Sequence, residues 1–267
     1  MNSINVRQPN FVFEDDLALM PDPDDSLYSA FSCSVTILAP HIERFLIRVM
    51  RTCSQNLEHG ALRDSVIAFC GQEAKHLDNH DRLNEVLRTK LSDAGRQKLL
   101  DAEAELQGDY DRFFKEKETL FNLAYAEGFE SATCAISLWA FEHNTLRHSQ
   151  KPWRDIIEWH LAEEIEHRCV AYDVYHAMGG SYRHRLLWGC YGQWHLYRYL
   201  RLFGSIFLNE FPEREQKRNV LKQRGLSLLK KWMVTLGPSY SPEKIKLPEG
   251  LDNILSQYEY SRRVDRV

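Results

Sequence analysis

The sequence contains no Cys-x-x-Cys pair. Its six cysteines, at 33, 53, 70, 134, 169 and 190, are scattered, which argues against a disulfide framework or a thiolate-ligated zinc site and fits a reducing cytoplasm. No basic, apolar, small-residue leader is present. The early chain carries Asp15, Asp16, Asp24 and Asp25 instead, so no signal peptide is expected. The most apolar late stretch, 186–208, is interrupted by Gln193, His195, Arg198 and Arg201, and is expected to be an amphipathic core helix rather than an interfacial one. Membrane association is therefore not expected. Nor is there an excess of positive charge: the formal net charge is -4, which gives no pull toward nucleic acid. Linker-like composition is absent between about 40 and 235, and so is any short repeat. This predicts one helical domain over 31–237, after an irregular lead-in over 1–30 and before an irregular tail over 238–267.

What is present is helical periodicity. Pro40 fits the first turn of a helix, and apolar residues at 42, 45, 46, 49 and 50 continue it to about 56. Residues 31–39 are apolar but leave strand, helix or buried loop open. A second helix is expected over 62–88 and a polar, partly helical connection over 90–107. A long third helical region should cover 109–147. Pro152 opens a fourth helix over 153–178, which Gly179-Gly180 ends. Two further helices are expected, over 182–209 and 213–235, the first rich in aromatic residues.

The chemistry is carried by four of these helices. His160, Glu164 and His167 fall within a sector of roughly 60° on a helix, and so do Glu73, His76 and His80. The trio Glu-x2-His-x3-His at 73–80 mirrors His-x3-Glu-x2-His at 160–167. Ionisable groups side by side on a buried stripe are costly unless something pairs with them, and a divalent cation is the simplest partner. Glu43 sits in the first apolar stripe, where the bland alternative is a solvated Glu favoured by the helix dipole. Glu127 and Glu130 share a face in the apolar middle of the third region.

With 22 Glu and 11 His in the chain, chance alone supplies roughly one Glu-x-x-His, so either copy is weak by itself. Order is the stronger signal. A lone Glu, then Glu73/His76, then Glu130 or Glu127, then Glu164/His167 is the alternation of a di-metal carboxylate bundle. Four carboxylates converging in an apolar core would repel one another. Two divalent cations balance them, and mixed nitrogen and oxygen donors without thiolate suit iron or manganese. Glu163, Glu166 and Asp173 read as lying off this face or at its margin, as surface groups or as groups that orient the ligands. Tyr125, Tyr172 and Tyr175 read as core packing with hydrogen-bonded hydroxyls rather than as redox groups.

The runs Glu43-Arg44-Phe45, Gly71 through His80, His160 through His167 and Val170 through Tyr175 resemble the ferritin-like family labelled "predicted metal-dependent hydrolase", over about residues 30–210. The resemblance implies an all-α, ferritin-like four-helix bundle with additional C-terminal helices. It favours Glu130 over Glu127 and makes His80 and His160 family features beside the six bundle ligands. Those two histidines are read as extra metal ligands, serving a third ion or a nitrogen-rich site, or as groups that orient the carboxylates. Two runs, Ala39 through Glu43 and Pro238 through Pro242, depart from the family pattern and bear on substrate choice more than on metal binding.

Taken together, the leading expectation is a non-haem di-iron (or Fe/Mn) oxidoreductase that uses O2 as cosubstrate on a small organic substrate, with an electron donor as partner. The alternatives are a hydrolase using a metal-bound water and a metal storage or sensing protein. The aromatic helix is expected to enclose the site or to form a homodimer contact.

Overall fold

The computed structural model describes residues 4–213 and 215–259. The outer ends of the expected lead-in and tail, 1–3 and 260–267, lie outside the described residues. Among the described residues there are nine α-helices and no strand. The all-α, ferritin-like bundle with additional C-terminal helices is therefore the observed class.

Helix α1 runs over Ser26–Ser54, so the expectation of an irregular stretch to 30 and a start at Pro40 is corrected. Asp25 caps it by accepting from the Tyr28 amide at 2.9 Å and caps α8 with its other oxygen, which accepts from the Val220 amide at 2.7 Å. Pro40 lies inside α1, where proline costs about 3 kcal/mol because it supplies no N–H to the carbonyl four residues back. That carbonyl, on Thr36, instead accepts from Asn84 Nδ2 at 2.7 Å. By length and composition α1 could cross a membrane, but 72% of its most apolar window is buried inside the protein. It is a core helix, packed on α2 (Ala61–Thr89) and α7 (Tyr182–Glu210).

The polar connection expected over 90–107 is part of a full helix, α3 (Asp93–Glu116), and the expected third region is split between α3 and α4 (Thr119–His143). The break falls at Lys117 and Glu118, both in extended backbone. Ser92 caps α3, and Asn144, in the left-handed region at φ 47°, ends α4. The expected fourth helix is also two: α5 (Lys151–Glu166) and α6 (Val170–Ala177), with His167 at the junction. No Gly or Pro causes that break. It coincides with the His167 ring lying between Glu130 and Glu73.

Helices α1, α2, α4 and α5 surround the candidate site. Helix α3 packs outside α1 and α7, and α8 (Val220–Thr235) packs mainly on α4. Helices α4 and α7 touch at Gly128 and Gly189, where a Cβ on Gly128 would lie 2.5 Å from the Gly189 Cα. The tail expected to be irregular contains α9 (Leu251–Glu259), whose Leu251 and Leu255 pack with Ala162 and Ile165 of α5. The lead-in is irregular over its described part and lies over the domain: Leu17 and Met20 are buried, and the Phe11 ring meets that of Trp159 at 5.5 Å. The three tyrosines have hydroxyl partners, namely His195 for Tyr125, the Tyr240 carbonyl for Tyr172 and the Ser181 carbonyl for Tyr175.

Candidate metal centre

Each helix of the bundle contributes acids or imidazoles at the spacing its 3.6-residue period allows. Helix α1 brings Glu43; α2 brings Glu73, His76 and His80; α4 brings Glu130; α5 and its C-terminal junction bring His160, Glu164 and His167. All eight are buried. Glu73, His76, Glu164 and His167 each offer a ligand atom, and those atoms lie within 4.8 Å of one another. Glu43, His76 and His160 form a second such group. Glu130 joins the first through His167, whose Nδ1 is 3.0 Å from its Oε2, while His167 Nε2 is 3.1 Å from Glu73 Oε1.

Glu127 does not join. Its carboxylate accepts from Arg185 at 2.9 Å, and burial pushes its carboxyl up to about 7. Of the two acids left open by spacing, Glu130 is the one at the site.

His80 is also set apart. Its Nδ1 meets Thr36 Oγ1 at 2.5 Å and its Nε2 meets His160 Nδ1 at 2.6 Å. Both ring nitrogens are engaged with Thr36 and His160, an arrangement that fits the orienting role of the two left open for His80. His160 Nε2 in turn lies 2.9 Å from Glu164 Oε1 and 3.9 Å from Glu43 Oε1. If that nitrogen donates to Glu164, the chain donates from Thr36 through both rings toward the carboxylate. If it faces a cation instead, every donor in the chain reverses and Thr36 Oγ1 becomes the acceptor.

Two residues outside the expected ligand set support the site: Glu163, read as a surface or ligand-orienting group, and Arg7, which was not expected there. Glu163 is fully buried; its Oε2 accepts from His76 Nε2 at 3.0 Å and its Oε1 accepts from Arg7 Nη1 at 3.0 Å. This leaves His76 Nδ1 turned toward Glu73, 3.8 Å from its Oε1. Arg7 also donates twice to Glu166, at 2.7 and 3.0 Å. A signal for Glu163 existed in the spacing, since it lies three residues after His160 and four before His167. None existed for Arg7, in the lead-in.

The electrostatics test whether this donor set suits cations. Nine buried atoms here have no hydrogen-bond partner: both carboxylate oxygens of Glu43, Glu73 and Glu130, both nitrogens of His167, and His76 Nδ1. Four of them are in ion-pair contact, the two His167 nitrogens with Glu130 Oε2 and Glu73 Oε1; at about 1–3 kcal/mol for each of the other five, the set would cost on the order of 10 kcal/mol, comparable with a whole domain's stability. Without metal, protons must take part of the load. Burial, then the charge of Glu73, holds the Glu43 carboxyl well above its usual range. Burial and then Glu164 push Glu130 up to about 8. Burial also works against the charged forms of Glu73, His76 and His167, but their ion-pair partners win: His167 and His76 for Glu73, Glu163 and then Glu73 for His76, and Glu130 and then Glu164 for His167. Glu73 is held well below the carboxylate range, and both imidazoles well above theirs. Four protons thus sit where two divalent cations would balance four carboxylates and leave both imidazoles neutral. The donors fit such a pair.

The model of a family described as "Predicted metal-dependent hydrolase" matches residues 5–246. No curated protein and no solved structure matches the chain.

Proposed function

Because the chain belongs to the predicted metal-dependent hydrolase family, we propose that it is a two-metal enzyme built on the carboxylate and imidazole cluster of α1, α2, α4 and α5. In this reading Glu43, His76 and His160 would hold one cation, Glu130 and His167 would hold the other, and Glu73 and Glu164 would be available to either. The observation that carries it is the set of nine buried donor atoms, clustered in the core, that lack a hydrogen bond. The family description favours hydrolysis, for which a bound divalent cation supplies Lewis acidity and lowers the pKa of a coordinated water toward neutrality. The chain's own residues hold the donors in place. Glu163 takes His76 Nε2 and so leaves Nδ1 for the site, Thr133 Oγ1 donates to Glu164 Oε2 at 2.6 Å, and His80 steadies His160. Phe69 and Trp159 place their rings edge-on to His167 and His76, with centroids 4.8 Å away in each case, and exclude bulk water from those faces.

A second reading, O2-dependent oxidation of a small organic substrate with iron or an iron/manganese pair, is favoured by the donor set itself. Four carboxylates with imidazoles and no thiolate suit a redox-active pair held in an apolar core, and that reading requires an electron donor. The experiment separates the two. Protein loaded with zinc is assayed for turnover of ester and phosphate substrates. Protein loaded anaerobically with Fe(II) is exposed to O2 while O2 consumption and visible absorbance are followed. Turnover with redox-inert zinc supports the hydrolase. Rapid O2 consumption with a transient absorbance, and no turnover with zinc, moves the assignment to an oxidoreductase. Stoichiometric metal uptake with neither activity would point to storage or sensing and overturn both.

A further inference from the structure

We propose that the outward face of α7 and α8 is a docking surface for an anionic lipid membrane. The 186–208 stretch reads as a core helix from its sequence, and one side of α7 is that: Tyr199, Phe203 and Phe207 are buried, and the helix packs on α4 and α1. Its opposite side carries large apolar residues at helical spacing. Leu187 is 60% exposed, Trp194 57% and Tyr197 58%. Helix α8 repeats the pattern with Leu226, Leu229 and Met233, of which Leu226 is 67% exposed; only Thr235 of α8 is buried. Both helices pack on α4, and hydrogen bonds bridge them at one end. Trp232 Nε1 donates to Gln193 Oε1 at 2.9 Å, and Tyr182 Oη donates to the Leu236 carbonyl at 3.0 Å.

Charge identifies the occupant. Helices α7 and α8 together carry eight Lys and Arg residues and one acid, Glu210, in a chain whose overall balance is -4. Some of these cations are spent inside the protein: Arg185 on Glu127, Arg198 on Glu105 and Lys231 on Glu142. Arg183, Lys222 and Lys230 have no acidic partner among the described residues and sit on the same helix faces as the exposed apolar groups. A second copy of this face would bring like charges together. Nucleic acid would satisfy the cations but leave the aliphatic side chains of Leu226, Leu229 and Met233 without a partner. An anionic bilayer satisfies both, with phosphate and carboxylate headgroups for the Lys and Arg and the acyl boundary for Leu, Met and Trp.

The test is flotation of the full chain with vesicles of phosphatidylcholine alone and of an equal mixture with phosphatidylserine. Binding is expected only to the mixture and should weaken as salt rises. Each surface cation near an anionic leaflet strengthens binding roughly five-fold, so Lys222→Gln/Lys230→Gln should lower the partition coefficient on the order of 25-fold. Leu229→Ser/Met233→Ser should also lower it, with the cations intact. All four positions are exposed or partly so, and circular dichroism checks that the variants stay folded. Equal binding to both vesicle types, or variants that float like the parent chain, would overturn the proposal. So would a chain that sediments as a dimer and becomes monomeric in the Leu229→Ser/Met233→Ser variant, because the face would then belong to a second copy.

Discussion

Replacing Arg7 by Met removes a cation that touches none of the proposed ligands and should still weaken the site. Met retains much of the length and apolar bulk of Arg, so the change isolates charge from packing. Arg7 is 4% exposed and holds both Glu163 and Glu166. The Glu166 side chain is 11% exposed and can recover water, whereas that of Glu163 is 0% exposed. The penalty therefore falls on Glu163. Removing one member of a buried ion pair costs about 3–5 kcal/mol, and the lower figure applies because His76 Nε2 still donates to Glu163. At roughly 2–4 °C per kcal/mol for a chain of this size, the metal-free protein should melt roughly 6–12 °C lower. The effect reaches the site through His76, whose orientation depends on Glu163. Loss of such an outer hydrogen bond weakens metal binding by about 10–100-fold, and an indirect loss should lie near the lower limit.

The assay is a double-mutant cycle, with thermal melting and Mn(II) titration on Arg7→Met, Glu163→Gln and the double variant. Arg7→Met leaves a bare carboxylate in the core. The double variant leaves a neutral amide, so it should be more stable than Arg7→Met alone, by on the order of 1–2 kcal/mol. If the two losses simply add, Arg7 is not compensating Glu163 and the reasoning fails.

Metal binding should release protons, because Glu43, Glu130, His76 and His167 hold them in the metal-free protein. Calorimetry in buffers of different ionisation enthalpy should report about four per two cations, and affinity should rise with pH through about 8, the value for Glu130. The sign for stability is the reverse. A carboxyl raised on folding favours the fold below its unfolded value of about 4.3, so the Glu130 contribution should be lost as pH rises through about 8 and melting of the metal-free protein should follow it down. A melting temperature that rises steadily over that window would contradict this. Gly128→Ala should cost about 1–3 kcal/mol by overpacking, since its Cβ would meet the Gly189 backbone at 2.5 Å, whereas the Cβ of Gly189→Ala would find Gly128 Cα at 3.4 Å. Equal losses of melting temperature for the two would refute the close approach. Asn84→Ala should cost about 1–3 kcal/mol by stranding the Thr36 carbonyl. That cost should shrink in a Pro40→Ala background, where residue 40 regains an N–H for the same carbonyl; an unchanged cost would mean Asn84 does not serve that carbonyl.

What was legible in the sequence was whatever one helix encodes within two turns. Glu73/His76 and Glu164/His167 each fall on one face through the helical period, and the alternation of such pairs with Glu43 and Glu130 was readable as a bundle. The errors arose where a distant residue decides local structure. Pro40 reads as a helix start because proline is costly inside one, and only Asn84, on another helix, makes the interior position tolerable by taking the Thr36 carbonyl. The 153–178 pattern reads as one helix because its breaking point, His167, is a normal helical residue whose ring lies between acids of α2 and α4. For Glu163 the sequence left surface and ligand-orienting roles open, because a second carboxylate beside Glu164 is buried only if a cation is at hand. That cation is Arg7, 156 residues away in sequence. Buried charges are neutralised through space, and spacing along the chain carries no record of the partner. A ligand cluster can thus be found from the period of the helices that carry it, whereas the groups that hold its charge in balance become visible only when the helices are packed.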